Sequence, residues 1–196
     1  LRNLSRFLWR VSHSYRRLLA YNAQQVDLTA ISVAPLIDLT QDNDPKTILK
    51  DYYDTCVELE KMKLATEIYK CLIIAWREDA FFGYVYEDDS GFFIYPLDGD
   101  YCKISSTNYD GTCNFAYDFS YFRRHSEELE FWDSEFNSKY TAYQGDNNLR
   151  WQELDSNRTI CLKVNDDDPT LCLAPYSGLF ESIIDNVDLQ SILAVK

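Results

Sequence analysis

Residues 101–122 read YCKISSTNYDGTCNFAYDFSYF, with two cysteines set among seven aromatic residues. Such a stretch could be a disulfide loop, half a metal site, an aromatic ligand platform or a pair of strands. Its periodicity decides between them. In YCKIS, Cys102 and Ile104 share one face and Tyr101 and Lys103 the other. In CNFAYDF, Cys113, Phe115, Tyr117 and Phe119 point one way, and Asn114, Ala116 and Asp118 the other. Period two is the signature of a half-buried strand. The intervening SSTNYDGT is rich in the Asn, Asp and Gly that make turns. The stretch therefore predicts an antiparallel hairpin whose strands each send one cysteine to the packed face. A disulfide between the two requires them to lie opposite each other.

Working outward, FFGYVYE and GFFIYPL flank Asp88-Asp89-Ser90, with Gly91 closing the turn, and predict another hairpin. RWQELD and TICLKVN predict a third around Ser156-Asn157. Before the strands, residues 3–25 predict one amphipathic helix. Leu4, Phe7, Leu8, Val11, Tyr15 and Leu18 form its apolar side, and Arg6, Arg10, His13 and Arg17 line another face. VDLTAISVAP then turns extended and stops at Pro35. Asp44 is a good N-cap and Pro45 suits the first helical position. Residues 45–78 read as helix, bent near Lys61–Lys63, with Ile68, Cys71, Leu72 and Ala75 on one face. Residues 126–143 predict a further helix, starting at Ser126 with acids in its first turn. Its apolar side carries Leu129, Trp132, Phe136, Lys139 and Tyr143. The tail APYSGLFESIIDNVDLQSIL reads as a loop feeding a short helix. The expected class is α+β, N-terminal amphipathic helices with antiparallel hairpins and a further helix packed on them. With no repeat and no linker, residues 1–196 read as one domain.

The charge is unevenly placed. The chain carries a formal charge of −13, yet residues 1–26 hold five arginines (Arg2, Arg6, Arg10, Arg16 and Arg17) and no acid. A basic arm on an acidic body can contact nucleic acid, or the acidic body of a neighbouring copy. The second needs only what the chain already contains and is preferred. The 15 tyrosines suit half-wet surfaces and subunit contacts. No stretch approaches the ~20 apolar residues of a membrane span, and no signal peptide is visible.

The six cysteines, at 56, 71, 102, 113, 161 and 172, form no CxxC pair and match no zinc-ligand spacing. Reduced thiols serving as small core residues are expected. The sequons at Asn3 and Asn157, with the even cysteine count, support the alternative of a secreted, disulfide-bonded binding module. The chain has two histidines. His13 falls on the arginine face, and His125 follows Arg123-Arg124 with no activating context for a Cys–His pair, which leaves a hydrolase as a distant third reading. Asp166-Asp167-Asp168 before Pro169 lacks the spaced ligands of a calcium loop and reads as a solvated turn. No phosphate-loop, dinucleotide, nucleophile-elbow or zinc-protease motif occurs. No catalytic residue, metal ligand or cofactor is expected.

The order of motifs resembles bacteriophage portal proteins, the head-to-tail connectors. The matching pieces are FLWRVSHSYRRLLAYNAQQ with the extended VDLTAISVAP, and the helix ending in CLIIAWRED before FFGYVYED. IYPLDGDYCKI follows, then FAYDFSYF with a helix after it, and finally APYSGLFESIIDNVDL. The resemblance implies a wing-type α+β domain in a dodecameric ring at one capsid vertex. Double-stranded DNA would be packaged and ejected through that ring. Implied partners are further copies of the chain, capsid proteins, the packaging motor and tail adaptors. The implied location is the virion, and the host cytoplasm during assembly. The chain begins with Leu1 and stops at Lys196, so it reads as a wing fragment without the stem helices and clip. The family carries no catalytic residue. An acidic body suits a channel in which tight phosphate contacts would stall sliding.

Overall fold

A computed structural model of the chain describes residues 1–28, 33–37, 44–88, 91–109, 111–165 and 168–186. Four helices come first: α1 (Arg2–Val11), α2 (His13–Gln24), α3 (Pro45–Met62) and α4 (Leu64–Glu78). Strands β1 (Ala80–Asp88), β2 (Gly91–Pro96), β3 (Cys102–Thr107) and β4 (Cys113–Asp118) follow. Helix α5 (Ser134–Gly145), strands β5 (Trp151–Glu153) and β6 (Thr159–Lys163) and a short helix at 180–186 complete the order. The class is α+β.

The expected single helix over 3–25 is two helices. Ser12 sits in extended backbone (φ −99°, ψ 113°), and its hydroxyl accepts from the Tyr15 N–H at 3.2 Å. Serine favours this capping geometry over continued helix. The break shifts the buried stripe to Ser5, Leu8, Tyr15, Leu19 and Ala23. Phe7 and Val11, expected in the core, stand exposed. The buried Ser5 hydroxyl is satisfied from both sides: it donates to the Arg77 carbonyl at 2.6 Å and accepts from the Tyr15 hydroxyl at 2.8 Å. Residues 29–32 of VDLTAISVAP lie outside the described residues, and 26–28 and 33–37 carry no strand.

The 45–78 stretch bends where expected. Asp44 caps α3 by accepting from the Lys46 N–H, Pro45 follows, and Lys63 separates α3 from α4 in left-handed backbone (φ 50°, ψ 41°). Cys71 and Ala75 are buried on α4, as their spacing suggested.

Both hairpins flanking the 98–101 turn are present. β1 pairs with β2 in the register Tyr84↔Tyr95, and β3 with β4 in the register Ile104↔Phe115. Residues 89–90 lie outside the described residues. In the second turn Gly111 takes φ +85°, a conformation that suits a residue without Cβ. Cys102 lies opposite Tyr117, and Cys113 opposite Thr107. The two cysteines are therefore offset along the ladder, and all six cysteines are free thiols.

RWQELD and TICLKVN do not form a hairpin with each other. β5 joins β4, giving the sheet β3-β4-β5, while β6 crosses to β1, giving the sheet β2-β1-β6. Leu154, between them, is buried in the core shared by the two sheets. The two strands thus continue different sheets, and the alternation of each is satisfied there. The helix over 126–143 is also divided. A 3-10 helix spans Ser126–Phe131, Trp132 is extended, and Asp133 caps α5 by accepting from the Glu135 N–H at 2.9 Å. The buried face of α5 is Phe136, Tyr140 and Tyr143.

Sheet β2-β1-β6 is covered on both sides. Phe81, Ile94 and Leu162 pack with Cys71 and Ala75 of α4. Gly83 keeps that side close, because a Cβ there would lie 2.6 Å from the Phe81 ring and 2.8 Å from Ile94. On the other side Phe82 and Tyr84 meet Phe115, Tyr117, Phe119, Phe122 and Phe136. Phe82 and Phe115 sit edge-to-face at 5.1 Å, the geometry that aromatic quadrupoles favour. The opening stretch is thus core and not a ligand platform. A second cluster joins Leu8, Tyr15 and Leu19 to Ala174 and Phe180 of the tail.

The far face of β4 is buried too, against expectation. Asp118 accepts from Arg150 Nε at 2.9 Å and from the Ser120 N–H at 2.9 Å. Burial pushes its carboxyl up, but those hydrogen bonds outweigh it and hold it below its ordinary value of 3.8. A carboxyl lowered by folding adds stability that is complete above the unfolded value and lost as pH falls through the folded one. In acid titrations of stability, Asp118→Asn is expected to flatten the wild-type loss as pH falls below the ordinary carboxyl value of 3.8. Parallel curves for the two proteins would contradict this.

Candidate subunit-contact face

The arginines of α1 and α2 divide into two sets. Arg2 and Arg6, one turn apart, lie over the end of α4 and the 98–101 turn. Arg6 donates to both oxygens of Glu78, at 3.0 and 2.7 Å, to Asp98 at 2.9 Å and to Asp100 at 2.9 Å. Arg2 donates to Asp100 at 2.7 Å and lies 3.6 Å from Glu78. Arg77 pairs with Glu78 as well. Glu78 is buried, so three guanidinium groups converge on one carboxylate and two acidic neighbours. Gly99, between Asp98 and Asp100, gives Arg2 room: a Cβ there would stand 3.3 Å from the guanidinium carbon. The hydrogen bond to Glu78 raises Arg6 above the usual arginine value. Burial acts to raise the Asp100 carboxyl, but Arg2 and Arg6 bring it below its ordinary range.

Arg6 therefore does not belong to an outward face. It fastens α1 to the acidic body of its own chain. The helical wheel alone placed it with Arg10, His13 and Arg17. The acids that draw it inward, Glu78, Asp98 and Asp100, lie more than 70 residues away in sequence. The DGD triplet at 98–100 was the readable hint.

Arg10, His13 and Arg17 are exposed, as expected, and Arg16 joins them. No side-chain hydrogen bond or ion pair engages Arg10, Arg16 or Arg17 among the described residues. Phe7, Val11 and Tyr21, on the same two helices, are also exposed. Phe7, Arg10 and Val11 share one side of α1 at helical spacing, and Arg17 and Tyr21 one side of α2. His13 borders a cleft shared with Ser12, Ser14, Leu179, Ser182 and Ile183. The surface is basic, apolar and aromatic at once, the composition of contact surfaces between proteins.

Of the other sequence candidates, Asp166 and Asp167 lie outside the described residues. His125 stacks on Tyr121 at 4.2 Å, with Nδ1 3.3 Å from Glu128. Burial pushes the Cys71 thiol up to about 12 and raises Cys102, Cys161 and Cys172 as well. A reactive cysteine needs the opposite shift. Among the described residues no group of three or more His, Cys, Asp or Glu is placed to hold a metal ion. No described helix is long and apolar enough to cross a membrane. No protein-family model, curated protein or solved structure matches this chain.

Proposed function

We propose that this chain is the wing-type part of a bacteriophage portal subunit, a structural piece of a ring through which DNA enters and leaves the capsid. One observation carries the reading beyond the order of its motifs. The basic arm is half consumed and half free. Arg2 and Arg6 hold α1 on the body, while Arg10, His13, Arg16 and Arg17 stand in solvent beside Phe7, Val11 and Tyr21. A fixed helix pair that presents apolar side chains among arginines suits a subunit contact better than a mobile nucleic-acid arm. The offset of Cys102 from Cys113 and the free thiols give a disulfide-bonded module less support.

The test is Arg10→Glu, Arg16→Glu and Arg17→Glu together, sparing Arg6. The folded chain should show no micromolar binding to duplex DNA at physiological salt, and the triple variant should keep its fold while losing self-association. Micromolar DNA binding that weakens steeply with salt, and vanishes in the triple variant, would reassign the face to phosphate contact.

A further inference from the structure

The exposed face of α1–α2 has a counterpart of opposite charge on the same chain. The 3-10 helix Ser126–Phe131 reads SEELEF. Glu127 and Glu130 are exposed, and among the described residues neither makes an ion pair or side-chain hydrogen bond. Phe131 is 79% exposed. The segment is nevertheless held in place. Leu129 packs on the aromatic core, Glu128 accepts from the Tyr121 hydroxyl at 2.8 Å, and Asn137 donates to the Leu129 carbonyl at 3.1 Å. What projects is an ordered acidic knob tipped by a phenylalanine.

We infer that the Glu127–Glu130–Phe131 knob of one copy docks on the Phe7–Arg10–Val11–Arg17 face of a second copy of this chain. The inference rests on the assembly reading above and names the contact it needs. Phe131 meets apolar partners in Phe7 and Val11, which supplies burial. Two glutamates meet two arginines that lack internal partners, which selects the partner and fixes the register. The same arginine–carboxylate chemistry already operates inside the chain, between Arg2 and Arg6 and the acids of α4 and the 98–101 turn. The two patches differ, so after pairing one copy keeps a free face and the other a free knob. Addition then continues, closing to a ring where the rotation permits and otherwise extending as a filament.

The test is a pair of charge reversals read by sedimentation velocity of the whole chain. Arg10→Glu with Arg17→Glu makes both patches acidic. Glu127→Arg with Glu130→Arg makes both basic. Each variant alone should weaken self-association by roughly tenfold or more, because like charges then face each other. An equimolar mixture should recover it, since acidic patches again meet basic ones. That recovery also shows that both variants are folded. Wild-type-like association of either variant, or a mixture that stays monomeric, would overturn the contact and leave the assembly reading standing. A wild-type chain that stays monomeric at every concentration would overturn both. Rescue that yields open filaments would keep the contact and remove the ring.

Discussion

Asp79→Ala is expected to destabilise the protein by about 3–5 kcal/mol, the cost of stranding a buried charge. Asp79 ends α4 in left-handed backbone (φ 73°) and is essentially solvent-free. Its carboxylate accepts from Lys163 Nζ at 2.5 Å, the Asn165 N–H at 3.0 Å and the Leu173 N–H at 3.1 Å. The Lys163 side chain is only 4% exposed. One side chain thus ties the end of α4 to the end of β6 and to the tail. Removal leaves a buried ammonium and two backbone donors without their partner. Asp79→Asn separates charge from backbone geometry, since asparagine tolerates left-handed backbone and should still lose much of the stability. Adding Lys163→Met to Asp79→Ala should recover part of it, because replacing both members of a buried pair is far less costly than removing one. Chemical denaturation checks all three. A curve for Asp79→Ala that overlays wild type would show that the junction is not closed.

Phe115→Ala should cost about 3–5 kcal/mol, as for other buried aromatics. Phe115 is 3% exposed and packs edge-to-face on Phe82 between the two sheets. It lies opposite Ile104 in β3, so the truncation opens a cavity where both sheets meet. A fall in Tm on the order of 10 °C follows for a chain of this size. Melting curves that coincide would mean the face is solvated, and would restore the aromatic-platform reading of residues 101–122.

Local signals read correctly in the sequence. Asp44-Pro45, the bend at Lys63, both hairpins around the 98–101 turn and the buried face of Cys71 and Ala75 all depend on neighbours within a turn or a tight loop. Some failures came at local caps, Ser12 and Asp133, and the others where a partner lay far away. β5 and β6 alternate well enough to pair with each other, yet each finds a longer strand in a different sheet. The helix over 3–25 had unbroken periodicity, and only the capping serine at 12 marked the division. The contact face was half legible. Exposure of Arg10, His13 and Arg17 follows from the helical wheel. The inward turn of Arg6 depends on three acids brought together by the fold. The 126–131 knob was hidden because helical spacing placed Leu129 and Trp132 on one side and gave no sign that Phe131 would project.

On the assembly proposed above, this chain builds a ring from copies of itself. The most direct test is electron microscopy of the purified 196-residue chain. Class averages should show closed rings, twelvefold by the portal resemblance, around a central hole wide enough for duplex DNA. Particles that remain single subunits at all concentrations would contradict the account.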